Sequence, residues 1–224
     1  MSYPTPVAVS SLSAANSVSS AGGQRWDALI CIFSQLDALP GEELLAFVRQ
    51  QQQIDQRIGQ EVVTLVAPMV AGGRLILAPT GPLLRDYDDV RVIADVAKLA
   101  INQAKAAGAK APLLWVESLP DSRYQYALEV AYLGVCQALW QPLEAREARG
   151  EQAVEPVQTV GLVHADNKQV AYLEALEAGR RLGRDLCGTE PERMTPKRFA
   201  HYCEEAFANT AVKVAVKTDI AQLN

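Results

Sequence analysis

The sequence predicts a layered α/β fold, a mixed sheet flanked by helices. Three observations carry this. Residues 27–33 are a short apolar run without polar alternation, as expected of a strand covered on both faces; residues 113–116 read as another buried strand, and 157–164 as one more strand. Stretches with helical apolar spacing lie between them. Gly72 and Gly73 separate two further apolar runs, the pattern of a turn joining paired strands, because primed turns need positive φ.

Along the chain, the first 24 residues carry no charged side chain and are rich in Ser, Ala and Gly. They lack the basic start and continuous apolar core of a secretory signal, and the arginines of a mitochondrial presequence. Residues 1–24 are therefore expected to be a flexible tail. The strand at 27–33 is followed by Pro40-Gly41-Glu42-Glu43, which starts a helix at about Gly41 with acidic residues where the helix dipole favours them. Residues 62–70 and 74–79 flank the two-glycine turn. A helix over 88–107 places Val90, Ile93, Ala97, Ile101 and Ala104 on one face, with Gly108 as its stop. After the strand at 113–116, Pro120-Asp121-Ser122 opens a helix with a stripe of Tyr124, Leu128, Ala131, Val135 and Leu139, ended by Pro142. Residues 143–156 are charged and lack a period, so a loop is expected. A strand at 157–164 and a long helix at 167–186 follow. Pro196 then sits in the first turn of a helix to about Ala208, with Thr195 as N-cap. Residues 212–216 alternate as a half-buried strand.

Composition narrows the function. The chain has 224 residues, 49% hydrophobic and 21% charged, with a formal net charge of −5. That length holds one large domain, or one domain plus a fragment. The acidic balance argues against nucleic acid as a partner. No apolar run is long enough to span a bilayer; residues 62–78 come nearest and are broken by Pro68, Gly72, Gly73 and Arg74. Cys31, Cys136, Cys187 and Cys203 form no CxxC pair and read as reduced thiols of a cytosolic protein.

Candidate chemistry is sparse. There is no GxGxxG, no GxxxxGK[ST] and no GxSxG. Asp86, Asp88 and Asp89 invite a metal reading, but Arg91 and Ala97 stand where a calcium loop needs Gly and Glu, so these carboxylates read as helix caps. Cys187, His201 and Cys203 have no zinc-finger spacing and no fourth ligand. Arg180, Arg181 and Arg184 make a basic helix face that Glu177 and Glu174 can pair. Gly179 and Gly183, four apart, suggest close approach of another backbone.

Gly183-Arg184-Asp185-Leu186, followed by Pro191, Met194, Thr195 and Pro196, is similar to the Arg-Asp-Leu, Asn-x-Pro and Thr-Pro junction between the two domains of the leucyl (cytosol) aminopeptidase family. Gly188 stands where that family usually has Asn, and residues 84–90 look closer to a divergent aminopeptidase-like branch. The resemblance implies a macro-type α/β N-terminal domain at 25–165, a connecting helix at 166–187, and at 188–224 the incomplete start of a second, catalytic α/β domain. It also implies a homohexamer acting on peptides, with two divalent metals, zinc or manganese, held by a Lys and several Asp and Glu. A metal-activated water attacks the first peptide bond in such enzymes.

The family's ligand motifs, which look like VGKGxxFDSGG and NTDAEGRL, do not occur here. No catalytic or metal residue is therefore assigned, and substrate-binding residues are unknown. The expectation is the N-terminal portion of a soluble cytoplasmic metalloaminopeptidase, with an organelle address as the lesser option. This portion would be inert by itself and would serve assembly and active-site access. Two rivals stand beside it: a free-standing macro-like module binding nucleotides or nucleic acid, and a structural paralogue that has lost catalysis.

Overall fold

Six consecutive apolar residues, Ala28–Phe33, form β2, and every one of them is buried. The computed structural model describes residues 4–13, 26–150, 155–219 and 221. The chain divides into two compact units: Met1–Trp140 with Val154–Glu177, and Gln141–Ala153 with Ala178–Asn224.

In the first unit β2 pairs in parallel with β4 (Arg74–Pro79) on one side and β5 (Pro112–Val116) on the other. Beyond β5 lie β6 (Thr159–Val163) and β1 (Thr5–Val9), both parallel to their neighbours. β3 (Val63–Val66) closes the opposite edge, antiparallel to β4, so the order is β1-β6-β5-β2-β4-β3. Alternate side chains point to opposite faces of a strand. Ala28, Ile30 and Ile32 join Ile76, Leu114 and Leu162 against α2 (Arg91–Ala106) and α3 (Ala127–Leu139). Leu29, Cys31 and Phe33 join Leu75, Leu77 and Trp115 against α1 (Glu42–Gln52) on the other face. Two covered faces explain why the central strands show no polar alternation.

The turn before β4 behaves as its glycines require. Gly72 and Gly73 have φ of 63° and 72°, and a Cβ at Gly72 would lie 2.1 Å from the Asp27 carbonyl oxygen. The connection is longer than a two-residue hairpin, because β3 ends at Val66. Along α2, Ile93, Ala97, Ile101 and Ala104 are buried as their spacing predicts, and Gly108 (φ 85°) ends the helix. α3 buries Ala131, Val135 and Leu139 of its predicted stripe.

In the second unit α4 spans Leu143–Arg149, and α6 spans Pro196–Phe207. α5 runs Asn167–Gly188 and belongs to the first unit up to Glu177.

Four expectations are corrected. Residues 5–9, assigned to a flexible tail, form β1. The exposed edge of β6 leaves backbone groups that need partners, and the Thr5 N–H donates to Gln158 O at 2.9 Å while the His164 N–H donates to Val9 O at 2.7 Å. The Tyr132 hydroxyl, buried on α3, donates to Pro4 O at 2.8 Å and ties the strand's start. With the Thr5 N–H turned towards β6, Pro6 faces outward and offers no donor to a stray strand. Of the rest of the expected tail, residues 1–3 and 14–24 lie outside the described residues.

Residues 143–149, expected as loop, are helical because Leu, Glu, Ala and Arg are strong helix formers even without an apolar stripe. Residues 212–216 form no strand; Val212, Val214 and Val216 are exposed, and an extended segment becomes a strand only where another supplies a ladder. Finally, a Cβ at Gly179 or Gly183 would meet nothing within 4 Å, so no backbone packs there. Close approach occurs instead at Gly134 on α3, where a Cβ would lie 2.7 Å from the Ala94 carbonyl oxygen of α2.

These two environments give opposite signs to one substitution. Gly134→Ala is expected to destabilise the first unit by about 1–3 kcal/mol, since the obstruction is backbone and outweighs the helix propensity of Ala. Gly179→Ala, exposed within α5, is expected to stabilise by about 0.5–1 kcal/mol. Urea unfolding of the two variants checks both signs.

Candidate functional site

One residue of the junction motif, Asp185, is a buried carboxylate that joins helices of the second unit. Asp185, in the last turn of α5, is 0% exposed. Its Oδ1 accepts from Arg146 Nη2 on α4, and its Oδ2 accepts from the Tyr202 hydroxyl on α6 at 3.1 Å. The Thr189 hydroxyl donates to the Asp185 carbonyl at 2.6 Å. Arg146 is itself oriented by donating from Nε to Gln141 O at 3.1 Å. One carboxylate thus connects three helices. Burial, followed by the Asp185 charge and hydrogen bond, pushes the Tyr202 phenol up to about 12.

A second layer of charge holds the link between α5 and α6. Glu144 accepts the Glu190 N–H at 3.0 Å, and backbone hydrogen bonds, its own N–H first and then that of Glu190, hold its carboxyl below the usual range. Glu190 accepts the N–H groups of Glu192 at 2.9 Å and Arg193 at 2.8 Å. Glu147 pairs with Arg193 and, at 3.3 Å, with Arg198.

In the first unit a cleft of about 370 Å³ opens at the carboxyl ends of β5 and β6. Parallel sheets place ligands at this end, where successive connections leave in opposite directions. Glu117 and Ser118 enter it from the end of β5, His164 from the end of β6, Glu129 from the first turn of α3, and Gln169 from the start of α5. The Ser34 N–H, at the end of β2, donates to Glu117 Oε2 at 2.5 Å. Gln169 Nε2 donates to Glu129 Oε1 at 2.7 Å. His164 holds φ 71°, rare for a residue with a side chain.

Other residues singled out by sequence are placed as follows. Asp88, 4% exposed, accepts the Arg85 N–H at 2.8 Å, and Asp89 accepts the Arg91 N–H at 2.8 Å, which orders the entry to α2. Thr195 stands at the N-cap position of α6, but its side chain makes no capping bond. Cys187 is exposed, and His201 faces Glu205 at 3.2 Å. Arg181 is fully buried, so Arg180, Arg181 and Arg184 do not make one solvent-facing basic surface. All four cysteines are free thiols.

No family model matches the chain. A Caenorhabditis elegans protein named "Putative aminopeptidase" is 38% identical over 160 residues, 70% of this chain and 30% of that protein. A tomato leucine aminopeptidase mutant superposes with a TM-score of 0.63 at 15% identity, over 93% of this chain and 43% of its own. A leucyl aminopeptidase from Trypanosoma cruzi gives 0.60 at 14% identity, over 92% and 41%. The resemblance to the aminopeptidase family is upheld. The fold likeness spans both units, and the chain spans less than half the length of each of these relatives. The family's junction motif therefore coincides with the Asp185 cluster. Sequence reasoning quoted Asp185 but missed Arg146 and Tyr202, whose partnership no spacing announces. It also missed Glu117, Glu129 and the cleft role of His164. Position directly after a strand's carboxyl end was the signal available for Glu117 and His164.

Removing one partner of a buried ion pair leaves an uncompensated charge. Arg146→Ala is expected to destabilise the second unit by about 3–5 kcal/mol, read as accelerated amide exchange in α4 and α6. The raised Tyr202 phenol works in the same direction at high pH. The folded state keeps its proton beyond the ordinary value of 10.0, so this stabilisation is complete below pH 10 and is lost as pH rises to about 12. Burial raises the Tyr124 phenol as well, so phenolate absorbance should show late-titrating tyrosines of which Tyr202→Phe removes one.

Proposed function

We propose that this chain is the N-terminal portion of a leucyl-aminopeptidase-like metalloexopeptidase, which removes N-terminal amino acids from peptides. The observation that carries this reading is the 38% identity over 160 residues to a protein named as an aminopeptidase. The likeness of fold to two leucyl aminopeptidases over more than nine-tenths of the chain supports it. In this reading residues 25–165 are an assembly and access domain, 166–187 a connecting helix, and 188–224 the start of the catalytic domain. The parent is a cytoplasmic homohexamer.

The metals of the parent, zinc or manganese, do not find a home in these residues. Among the described residues no three His, Cys, Asp or Glu side chains come together to hold a metal ion. The two-metal centre does not fit them, and no reaction step is derived through it. A bottromycin maturation enzyme solved in complex with Mn shares the fold at a TM-score of 0.55, which is consistent with a divalent metal in the parent. Among the described residues no helix is long and apolar enough to cross a membrane. Val212, Val214 and Val216, exposed and alternating, suit a strand that pairs once the rest of a catalytic sheet is present.

The chain by itself is expected to be inert. Purified 224-residue protein supplied with zinc or manganese should release no leucine from a leucyl chromogenic amide above the metal-only blank. Metal-dependent turnover that follows the protein through purification would overturn the reading.

A further inference from the structure

We propose that the cleft at the carboxyl ends of β5 and β6 binds a primary ammonium group, with Glu117 and Glu129 as its charge determinants. Both carboxylates are half-buried, and neither has a Lys or Arg partner among the described residues, whereas Asp88, Asp89 and Asp121 each pair with an arginine. Each spends one oxygen on a neutral donor: Glu117 Oε2 takes the Ser34 N–H at 2.5 Å, and Glu129 Oε1 takes Gln169 Nε2 at 2.7 Å. Those contacts hold the carboxylates in place while leaving their second oxygens to accept. A half-buried carboxylate without a counter-charge costs free energy that a cation would recover.

The same contacts disfavour an anion. In a parallel sheet, backbone N–H groups at the strand ends and helix starts are the usual phosphate donors. Here the Ser34 N–H is already taken by Glu117. At the start of α5 the Gln169 N–H donates to Asp166 Oδ1 at 2.7 Å, and Glu129 occupies the first turn of α3. Carboxylates of the chain itself stand where an anionic ligand would.

Size and walls suit a small amine. The cleft's 370 Å³ lies at the small end of ligand pockets. Tyr124 forms part of one wall; it is 3% exposed, and its hydroxyl has no hydrogen-bond partner among the described residues. Leu119 and Leu128 give the lining apolar surface for a short side chain. This inference does not depend on the proposed aminopeptidase role, and leucine release does not report on it.

The test is titration of the ¹⁵N-labelled chain, followed by amide shifts, with four probes: L-leucinamide, n-butylamine, N-acetyl-L-leucinamide and ADP-ribose. Saturable shifts at Glu117, Ser118 and His164 are expected with a cationic probe. If both cations bind, the site takes simple amines; if only leucinamide binds, it takes the amino terminus of a peptide. Glu129→Gln, which can still accept from Gln169, should weaken binding about tenfold, the effect of one charge-assisted hydrogen bond. Glu117→Gln should do the same, with unchanged circular dichroism showing that the fold survives. The proposal is overturned if no cation gives saturable shifts, if both variants bind as well as the parent chain, or if the acetylated probe binds equally. ADP-ribose shifting these amides also overturns it, in favour of a nucleotide module.

Discussion

A parallel strand with both faces covered has no tolerance for a polar side chain, and β2 sets that constraint at the centre of this molecule. Its six residues are divided between two cores, and each neighbour is placed by what those cores need. Burying a residue the size of Ile, Leu or Phe contributes roughly 1.5–3 kcal/mol, and this strand buries all six of its residues. The helices on one face then have to come close together. Gly134 permits that contact by leaving the Ala94 carbonyl unobstructed.

The second unit is organised by the opposite kind of interaction. Asp185 is a charge with no solvent, and it survives because Arg146 and Tyr202 reach it from two other helices. Such a cluster adds little net stability compared with an apolar replacement, yet it is intolerant of losing one member. That gives a physical reason for an Arg-Asp-Leu sequence at a helix end followed by a Pro-bearing link. The Asp is the common partner, and the link is short enough for α6 to return to it. Glu144, Glu147 and Glu190 fix the path of that link.

At the carboxyl end of the sheet, geometry common to parallel α/β folds is given a particular charge. Strand ends and helix starts offer N–H donors by construction, and this chain meets several of them with its own carboxylates. The fold therefore supplies the cleft, whereas Glu117 and Glu129 determine which ions it favours. Likeness of fold alone cannot transfer a ligand from one protein to another when the side chains at the strand ends differ.

Local pattern along the chain was enough to place the strands expected at 27–33 and 113–116, the helices expected over 88–107 and 167–186, and the turn at Gly72-Gly73, each found within a few residues of those bounds, because each is dictated by near neighbours. The family resemblance was legible for the same reason, as a contiguous motif. What the chain order could not carry was pairing between distant segments. The uncharged segment at 5–9 became a strand because β6 had an open edge 154 residues later, and the alternating segment at 212–216 did not because no described strand offered it one. Gly134 and Gly179 look equivalent in sequence, and only the position of α2 separates them. Asp185 met Arg146, and Glu117 met Ser34, across 39 and 83 residues. Local spacing determines which elements form; hydrogen-bond satisfaction and burial, which depend on what lies across space, decide which of them pair and where charge collects.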